Sequence, residues 1–122
     1  MGITKVNLTL RNPQNPDKKI KREFMVDSGA VYSVIPAKDL KQLGINPTRE
    51  MKFYLADGTP MTRKIGNLLY EYEGTQGAAP VVFGQENDLL LLGAVTLESL
   101  GLVLNPFSRE LKPMHAVLTT YS

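Results

Sequence analysis

Hydrophobic and polar residues alternate over two stretches near the start of the chain, a pattern typical of half-buried β-strands. The first stretch covers residues 6–10 and the second covers residues 20–26. Between them, residues 11–17 are rich in Asn, Pro and Asp, which favour turns. The pattern predicts a hairpin whose second strand leads directly to Asp27.

The alternation returns over residues 51–72, interrupted at residues 56–60 by Ala-Asp-Gly-Thr-Pro. Asp-Gly allows the backbone conformations of a tight hairpin tip, so this stretch predicts a long, projecting hairpin. Residues 81–83 and 89–92 are apolar throughout and predict two further strands. The second of these is so uniformly apolar that we expect both of its faces to be covered.

Two short helices interrupt the predicted strands. The first begins at Pro36, whose fixed φ suits a helix start, and ends at Gly44, a residue that favours the left-handed conformation found after helices. The second covers residues 96–101. Strands at residues 102–104 and 114–121 complete a chain that is mostly β.

The composition fits a single folded domain over residues 1–122. Hydrophobic residues make up 43% of the chain, which is sufficient for an ordinary core. There is no cysteine, so no disulfide or thiolate metal site is available, and the one histidine, His115, cannot form a metal site without acidic partners. No apolar run approaches the ~20 residues that cross a bilayer, and no signal peptide is evident. We therefore expect a soluble, cytoplasmic protein that needs no cofactor and does not associate with membranes.

An aspartate follows directly on the second predicted strand, in the sequence Asp27-Ser28-Gly29. All three residue types favour turns, so a plain turn is one interpretation. The other interpretation is catalytic, because two carboxylates held about 3 Å apart cannot both ionise and so act together as general base and general acid. Gly29 would let backbone amides approach the carboxylate, and the Ser28 hydroxyl could form a hydrogen bond across a dimer axis.

Three segments of the chain, in this order and spacing, resemble retropepsin-like aspartic proteases, including the protease domain of DNA-damage-inducible proteins. Residues 24–30 (FMVDSGA) and 33–36 (SVIP) resemble the family's active-site segment. Residues 90–93 (LLLG) and 97–102 (LESLGL) resemble its apolar-apolar-Gly strand and the helix that follows. Residues 55–66 (LADGTPMTRKIG) occupy the position of its mobile flap.

The resemblance implies an all-β fold, a small closed β-barrel, in which each chain supplies one Asp loop and two chains form an active homodimer. It implies an aspartic endopeptidase that binds extended peptides, with Asp27 as the catalytic residue. Ser28, Gly29 and Ala30 would support the active-site loop. The flap and substrate-binding residues would be Leu55, Ala56, Asp57, Gly58, Thr59, Pro60 and Met61. From their proximity to these motifs, we predict that Val31, Ile35, Leu91 and Val95 line the substrate pockets.

The chain departs from the viral members of this family at two positions. In those enzymes an acidic residue follows the active-site tetrapeptide and an Arg follows the later Gly, and the two join an ion-pair network at the dimer contact. Val31 and Ala94 stand at these positions here. Because both charged partners are absent together, no unpaired buried charge results, and an apolar replacement can be neutral or favourable for stability.

Two alternative functions remain open on the sequence. A dimeric peptide-binding module could keep the barrel and lack turnover, because fold alone does not guarantee chemistry. A small β-barrel that binds nucleic acid is favoured only by the pI of about 8.9. The net charge of +2, from 14 basic and 12 acidic residues, gives no broad field suited to a phosphate backbone, so we expect no nucleic-acid partner.

Overall fold

A computed structural model of the protein describes residues 3–115 and Leu118. The strands within these residues are β1 (Lys5–Asn12), β2 (Asn15–Val26), β3 (Ser33–Pro36), β4 (Arg49–Tyr54), β5 (Pro60–Tyr72), β6 (Thr75–Gly84), β7 (Leu91–Leu92), β8 (Leu102–Leu104) and β9 (Leu111–Pro113). The helices are α1 (Ala37–Gln42) and α2 (Ala94–Ser99). The strand predicted at residues 114–121 lies largely outside the described residues. None of the described helices is long and apolar enough to cross a membrane.

Six strands form a closed ring, which confirms the small β-barrel. The main sheet has the order β1-β2-β7-β3-β6-β5-β4, and an additional pairing between β1 and β5 closes it. Among the described residues, strand β4 pairs only with β5, and it therefore lies outside the ring. Strands β8 and β9 form a separate two-stranded sheet. The β4–β5 hairpin is thus an appendage of the barrel, as the alternation over residues 51–72 predicts.

The barrel interior is filled by alternate side chains of the ring strands. Leu8 and Leu10 of β1 are fully buried, as is Phe24 of β2, while the intervening side chains are less buried. This alternation is the reason that the period-2 pattern in the sequence identifies these strands correctly. The other buried apolar residues of the core are Val26, Ile35, Leu40, Leu43, Ile45, Leu68, Tyr70, Ala79, Val81, Phe83, Leu92, Leu97 and Leu100.

The first hairpin has a tighter turn than the sequence predicts. Strand β2 starts at Asn15, so the turn is reduced to Pro13 and Gln14 instead of residues 11–17. The Asn12 side chain accepts a hydrogen bond from the backbone N–H of Gln14 at 2.8 Å and so fixes the turn. The polar residues that obscure the start of β2 in the sequence are exposed on a strand that pairs with β1.

Two other predicted elements need correction. Strand β7 covers only Leu91–Leu92, and Leu89 is 65% exposed, so the expectation that residues 89–92 are covered on both faces is wrong for its first half. Helix α2 begins at Ala94, two residues before the predicted start at Thr96, because the backbone carbonyl of Gly93 already accepts a hydrogen bond from Leu97. Helix α1 ends before Gly44, which has a φ of 77°, as predicted.

A polar pair lies at the junction of β1 and β5 that closes the ring. Arg11 Nε donates to Glu71 Oε1 at 3.1 Å, and Gln76 Nε2 donates to the same oxygen at 2.9 Å. These two hydrogen bonds, with that from Gln76 the larger influence, hold the pKa of Glu71 below its ordinary value of 4.5. Because its pKa is lowered, the ionised Glu71 carboxylate stabilises the fold at pH values above its ordinary pKa. This stabilisation disappears as the pH falls through the lowered pKa.

We predict that Glu71→Gln lowers the free energy of unfolding at pH 7. The difference from the wild-type protein should shrink as the pH falls below about 4.5, because Glu71 then becomes protonated in the folded protein as well. Urea denaturation over a series of pH values measures this difference. Glu86→Gln is a matched control, because Glu86 is exposed and makes no hydrogen bond within the described residues. A Glu71 effect that is constant with pH would contradict this assignment.

Candidate active site

Asp27 lies at the end of β2, where the chain leaves the barrel wall. Its backbone N–H donates to the Leu92 carbonyl at 3.0 Å, which continues the parallel pairing of β2 with β7. Its Oδ1 atom accepts a hydrogen bond from the backbone N–H of Gly29 at 3.0 Å. Among the described residues, Oδ2 accepts no hydrogen bond. The loop therefore orients the carboxylate through one oxygen and leaves the other available.

The Asp27 loop is held against the segment that follows β7. The backbone N–H groups of Ala94 and Val95 donate to the carbonyls of Ala30 and Val31 at 2.8 and 3.0 Å. This close approach requires Gly93, since a Cβ atom there would lie 2.6 Å from the backbone carbonyl carbon of Tyr32. The apolar-apolar-Gly pattern is thus explained by contact between two backbones.

A buried hydroxyl pair lies directly beneath this contact. Ser33 and Thr96 are both 0% exposed, and their side-chain oxygens are 2.6 Å apart. Ser33 Oγ also accepts a hydrogen bond from the backbone N–H of Gly93 at 3.0 Å. The pair therefore satisfies a backbone amide that the close packing would otherwise leave without a partner.

Tyr70 of β5 lies beside this hydroxyl pair in the core. Its hydroxyl donates to the Pro80 carbonyl at 3.2 Å. Burial raises the pKa of Tyr70, and the nearby hydroxyls of Thr96 and Ser33 oppose that rise only in part. Tyr70 therefore stays neutral and acts as a hydrogen-bonding and packing group.

The sequence pattern indicates no role for Thr96 and no partner for Ser33, and it predicts that Tyr70 is a packing group. Ser33 is the first residue of the motif at residues 33–36. Its hydroxyl directly precedes the apolar residues 34–36, and this position is the one local signal that it has a polar partner. Its partner Thr96 is 63 residues away in the chain. Only the three-dimensional structure brings these residues together.

An open cavity of about 770 Å³ lies between the Asp27 loop and the β4–β5 hairpin, a size typical of ligand sites. Ala30 is the member of the Asp27-Ser28-Gly29-Ala30 loop that lines it, and Asp27 lies beyond its edge. The rings of Tyr32 and Phe53 pack edge to face, with centroids 6.5 Å apart, and connect two of its walls. The cavity therefore adjoins the Asp27 loop at Ala30 and extends along the hairpin.

Of the four predicted pocket residues, two line this cavity. Val31, which is 60% exposed, and Leu91 are in its wall. Ile35 is 0% exposed and belongs to the core, because β3 directs alternate side chains inward. Val95 packs against the same core. Neither Ile35 nor Val95 lines the cavity, so proximity to the motif was an insufficient guide to their orientation.

The predicted flap residues form the tip of the β4–β5 hairpin. Residues 55–60 are exposed, and of the predicted set only Met61 lines the cavity. Asp57 Oδ1 accepts a hydrogen bond from the Thr59 backbone N–H at 2.9 Å, and hydrogen bonding with Thr59 lowers the pKa of Asp57. Gly58 has a φ of 87°, so the tip is a well-formed turn. Asp57 thus has a structural partner within its own turn.

Within residues 3–115, no three carboxylate or imidazole groups converge to form a metal site. Besides Arg63 and Asp88 in the cavity wall, the chemical groups at the Asp27 loop are thus its carboxylate, backbone amides and hydroxyls. Such a set can position and activate water, provided that a second acid is supplied.

Comparison with known proteins agrees with this geometry. A family model described as aspartyl protease matches residues 15–116, most of the chain. A search of curated proteins found no match.

Two solved structures resemble the fold. The solution structure of simian foamy virus (mac) protease aligns with a TM-score of 0.52 and 19% sequence identity, covering 76% of this chain and 92% of the viral one. A retropepsin-like aspartic protease from Rickettsia conorii aligns with a TM-score of 0.47 and 19% identity, covering 80% and 82% of the two chains. At this level of identity, the viral structure supports a shared fold.

We predict that Ser33→Ala lowers the free energy of unfolding by about 1–3 kcal/mol, because the Gly93 amide and the Thr96 hydroxyl lose a buried partner. Urea denaturation measures the change. Ser99→Ala is a suitable control, since the Ser99 hydroxyl donates only to the Thr96 carbonyl, which also accepts from the Leu100 N–H. Equal effects of the two substitutions would argue against a special role for the Ser33 hydroxyl.

Proposed function

The chain belongs to the aspartyl protease family, and on this premise we propose that residues 1–122 act as one aspartic endopeptidase domain that functions as a homodimer. The observation that carries the proposal is the Asp27 loop, in which Gly29 orients one carboxylate oxygen and leaves the other available, while Ala30 of the same loop lines the cavity. One such loop per chain gives half of a catalytic pair. A second copy of the chain would supply the other half.

In the proposed dimer, the two Asp27 carboxylates share one proton, as carboxylates about 3 Å apart do in aspartic proteases. The ionised carboxylate takes a proton from water, and the water oxygen attacks the peptide carbonyl carbon. The protonated carboxyl stabilises the resulting tetrahedral intermediate. The C–N bond then breaks, and a proton passes to the departing amine. No residue outside the pair needs to change its charge.

Exposed apolar side chains near both ends of the described chain support association. Thr4 connects the two regions, since its carbonyl accepts from the Val26 N–H at 2.8 Å and its hydroxyl donates to the Arg109 carbonyl at 2.8 Å. The neighbouring Ile3 is 66% exposed, and Phe107, in the β8–β9 turn, is 94% exposed. Large apolar groups this exposed beside the strand that ends at Asp27 would gain from burial against a second subunit.

The proposed dimer contact would differ from that of the viral members. Val31 and Ala94 replace the charged pair of the viral enzymes, and here backbone hydrogen bonds join the two segments, from Ala94 to Ala30 and from Val95 to Val31. Because no charge has to be desolvated at these positions, an apolar contact is sufficient.

We further propose that the β4–β5 hairpin acts as the flap. Its tip is exposed, and within the part of the chain that the structure describes β4 pairs with β5 alone, so the hairpin can move without opening the ring. An extended peptide in the cavity would form backbone hydrogen bonds with it, a strand-addition mode of binding. Closure of the hairpin over the peptide would exclude water from the reacting groups.

The alternative of a peptide-binding module without turnover has the same fold and cavity. The intact Asp27 loop favours the enzyme, because a module that only binds peptides has no need for a carboxylate oriented by Gly29.

We predict that Asp27→Asn reduces peptide cleavage by at least about 10²-fold, because the pair can no longer share a proton. Cleavage of a peptide library, followed by mass spectrometry, measures this loss, and sedimentation checks that the dimer persists. Asp17→Asn is the control, since Asp17 is exposed in β2 on the first hairpin. Undiminished cleavage by the Asp27→Asn dimer would refute the proposed mechanism.

Mixed dimers test whether two subunits form one site. When equal amounts of wild-type and Asp27→Asn chains are unfolded and refolded together, we expect roughly a quarter of the wild-type activity, because random pairing makes only that fraction fully wild type. Independent monomers would instead retain roughly half of it. Measuring initial rates at several mixing ratios separates a quadratic from a linear dependence.

A further inference from the structure

The hairpin wall of the cavity consists of two pairs of directly opposed residues. In the register of β4 and β5, Met51 faces Arg63 and Phe53 faces Met61. All four side chains line the cavity. Three are apolar, so Arg63 places a single guanidinium group in an otherwise apolar wall.

Arg63 has no acidic partner within the described part of the chain. Its Nη1 atom donates to the Thr62 carbonyl, at 3.2 Å, on its own strand. Two other arginines do form ion pairs, Arg11 with Glu71 at 3.1 Å and Arg22 with Asp39 at 3.3 Å. The remaining N–H groups of the Arg63 guanidinium therefore donate hydrogen bonds to water while the cavity is open.

The acidic residue in the cavity wall, Asp88, is already engaged elsewhere. Its Oδ2 atom accepts a hydrogen bond from the Gln85 backbone N–H at 2.7 Å, and its own N–H donates to the Gln85 carbonyl at 3.0 Å. These reciprocal bonds hold Asp88 in the turn that precedes β7. Asp88 thus forms no ion pair with Arg63 across the cavity in this structure.

A ligand that fills the cavity changes the solvation of the Arg63 guanidinium. A bound peptide would displace the water that solvates the half-buried guanidinium, and a cation without water or a partner is costly. A carboxylate can replace that water with two parallel hydrogen bonds, which a neutral side chain cannot do equally well. A substrate that carries a carboxylate at this point would therefore bind better than one that does not.

From this geometry we propose that Arg63 is a specificity-determining residue, which selects peptides with an Asp or Glu side chain in the subsite along the β4–β5 hairpin. The acidic residue would lie beside an apolar residue that contacts Met51 and Phe53. The proposal rests on the proposed peptidase function and names its substrate class. Arg63 would determine which peptides bind and would take no part in the reaction.

The test compares sets of peptides that differ only by Glu, Gln or Lys at one position, taken in turn around the cleaved bond. For the wild-type protein we expect kcat/KM to favour Glu over Gln by roughly tenfold or more at one position. Arg63→Gln should abolish this ratio, and Arg63→Glu should reverse it in favour of Lys. Lys64→Gln is the matched control, because it removes the same charge from the adjacent, exposed position, which faces away from the cavity.

Three results would overturn the proposal. These are a wild-type protein with no preference for Glu, a preference that survives in Arg63→Gln, and a preference that Lys64→Gln removes equally. The last would indicate a general field effect instead of a contact. A preference for Lys in the wild-type protein would point to Asp88 as the selecting group and would also refute the role of Arg63.

Peptide binding to the Asp27→Asn protein separates this proposal from the proposed function. Fluorescence anisotropy with labelled Glu and Gln peptides measures the preference without any cleavage. If the wild-type protein cleaves no peptide while Asp27→Asn still binds the Glu peptide more tightly through Arg63, the peptidase function fails and the role of Arg63 stands. Equal binding of the two peptides refutes the role of Arg63, whatever the cleavage assay gives.

Discussion

Close contact between two backbone segments is the constraint on which the candidate site depends. The Asp27 loop and the segment after β7 approach so closely that only glycine fits at residue 93. Hydrogen bonds from Ala94 and Val95 hold the two together, and the Ser33 hydroxyl satisfies the Gly93 amide. Since buried amides must be paired, the hydroxyl and the glycine are required jointly. This arrangement holds the backbone that follows the Asp27 loop, and within the loop the Gly29 amide orients the carboxylate.

The ring of strands fixes the position of that contact. Parallel pairing places β7 beside β2, and β3 pairs with both β7 and β6, so the Asp27 loop begins and ends on paired strands. Pairing of β1 with β5 closes the ring and buries Leu10 and Tyr70 opposite each other. The side chains that line the cavity come partly from this ring and partly from the hairpin outside it. A carboxylate at the end of a ring strand and a separate hairpin wall are thus combined in one small chain.

Much of the fold could be predicted from the sequence, because the period-2 pattern directly reflects which strand face is buried. The long hairpin, the strand that ends at Asp27, the helix before Gly44 and the closed barrel are all confirmed. Orientation was harder to predict where a strand is apolar on both faces. In β3, Val34 lines the cavity and Ile35 fills the core, although the two differ little in hydrophobicity. Contacts such as that of Ser33 with Thr96 could not be predicted, because they depend on the folding of distant segments together.

The attachment of β4 has a consequence for how such a protein can diverge. The side chains of Met51 and Phe53 contribute to the cavity, yet among residues 3–115 their strand pairs with the ring through β5 alone. Replacements there leave the packed interior and the Asp27 loop intact, so most of them escape the penalties that core substitutions incur. Natural variation at a few hairpin positions could therefore change what the cavity binds while the Asp27 loop stays the same.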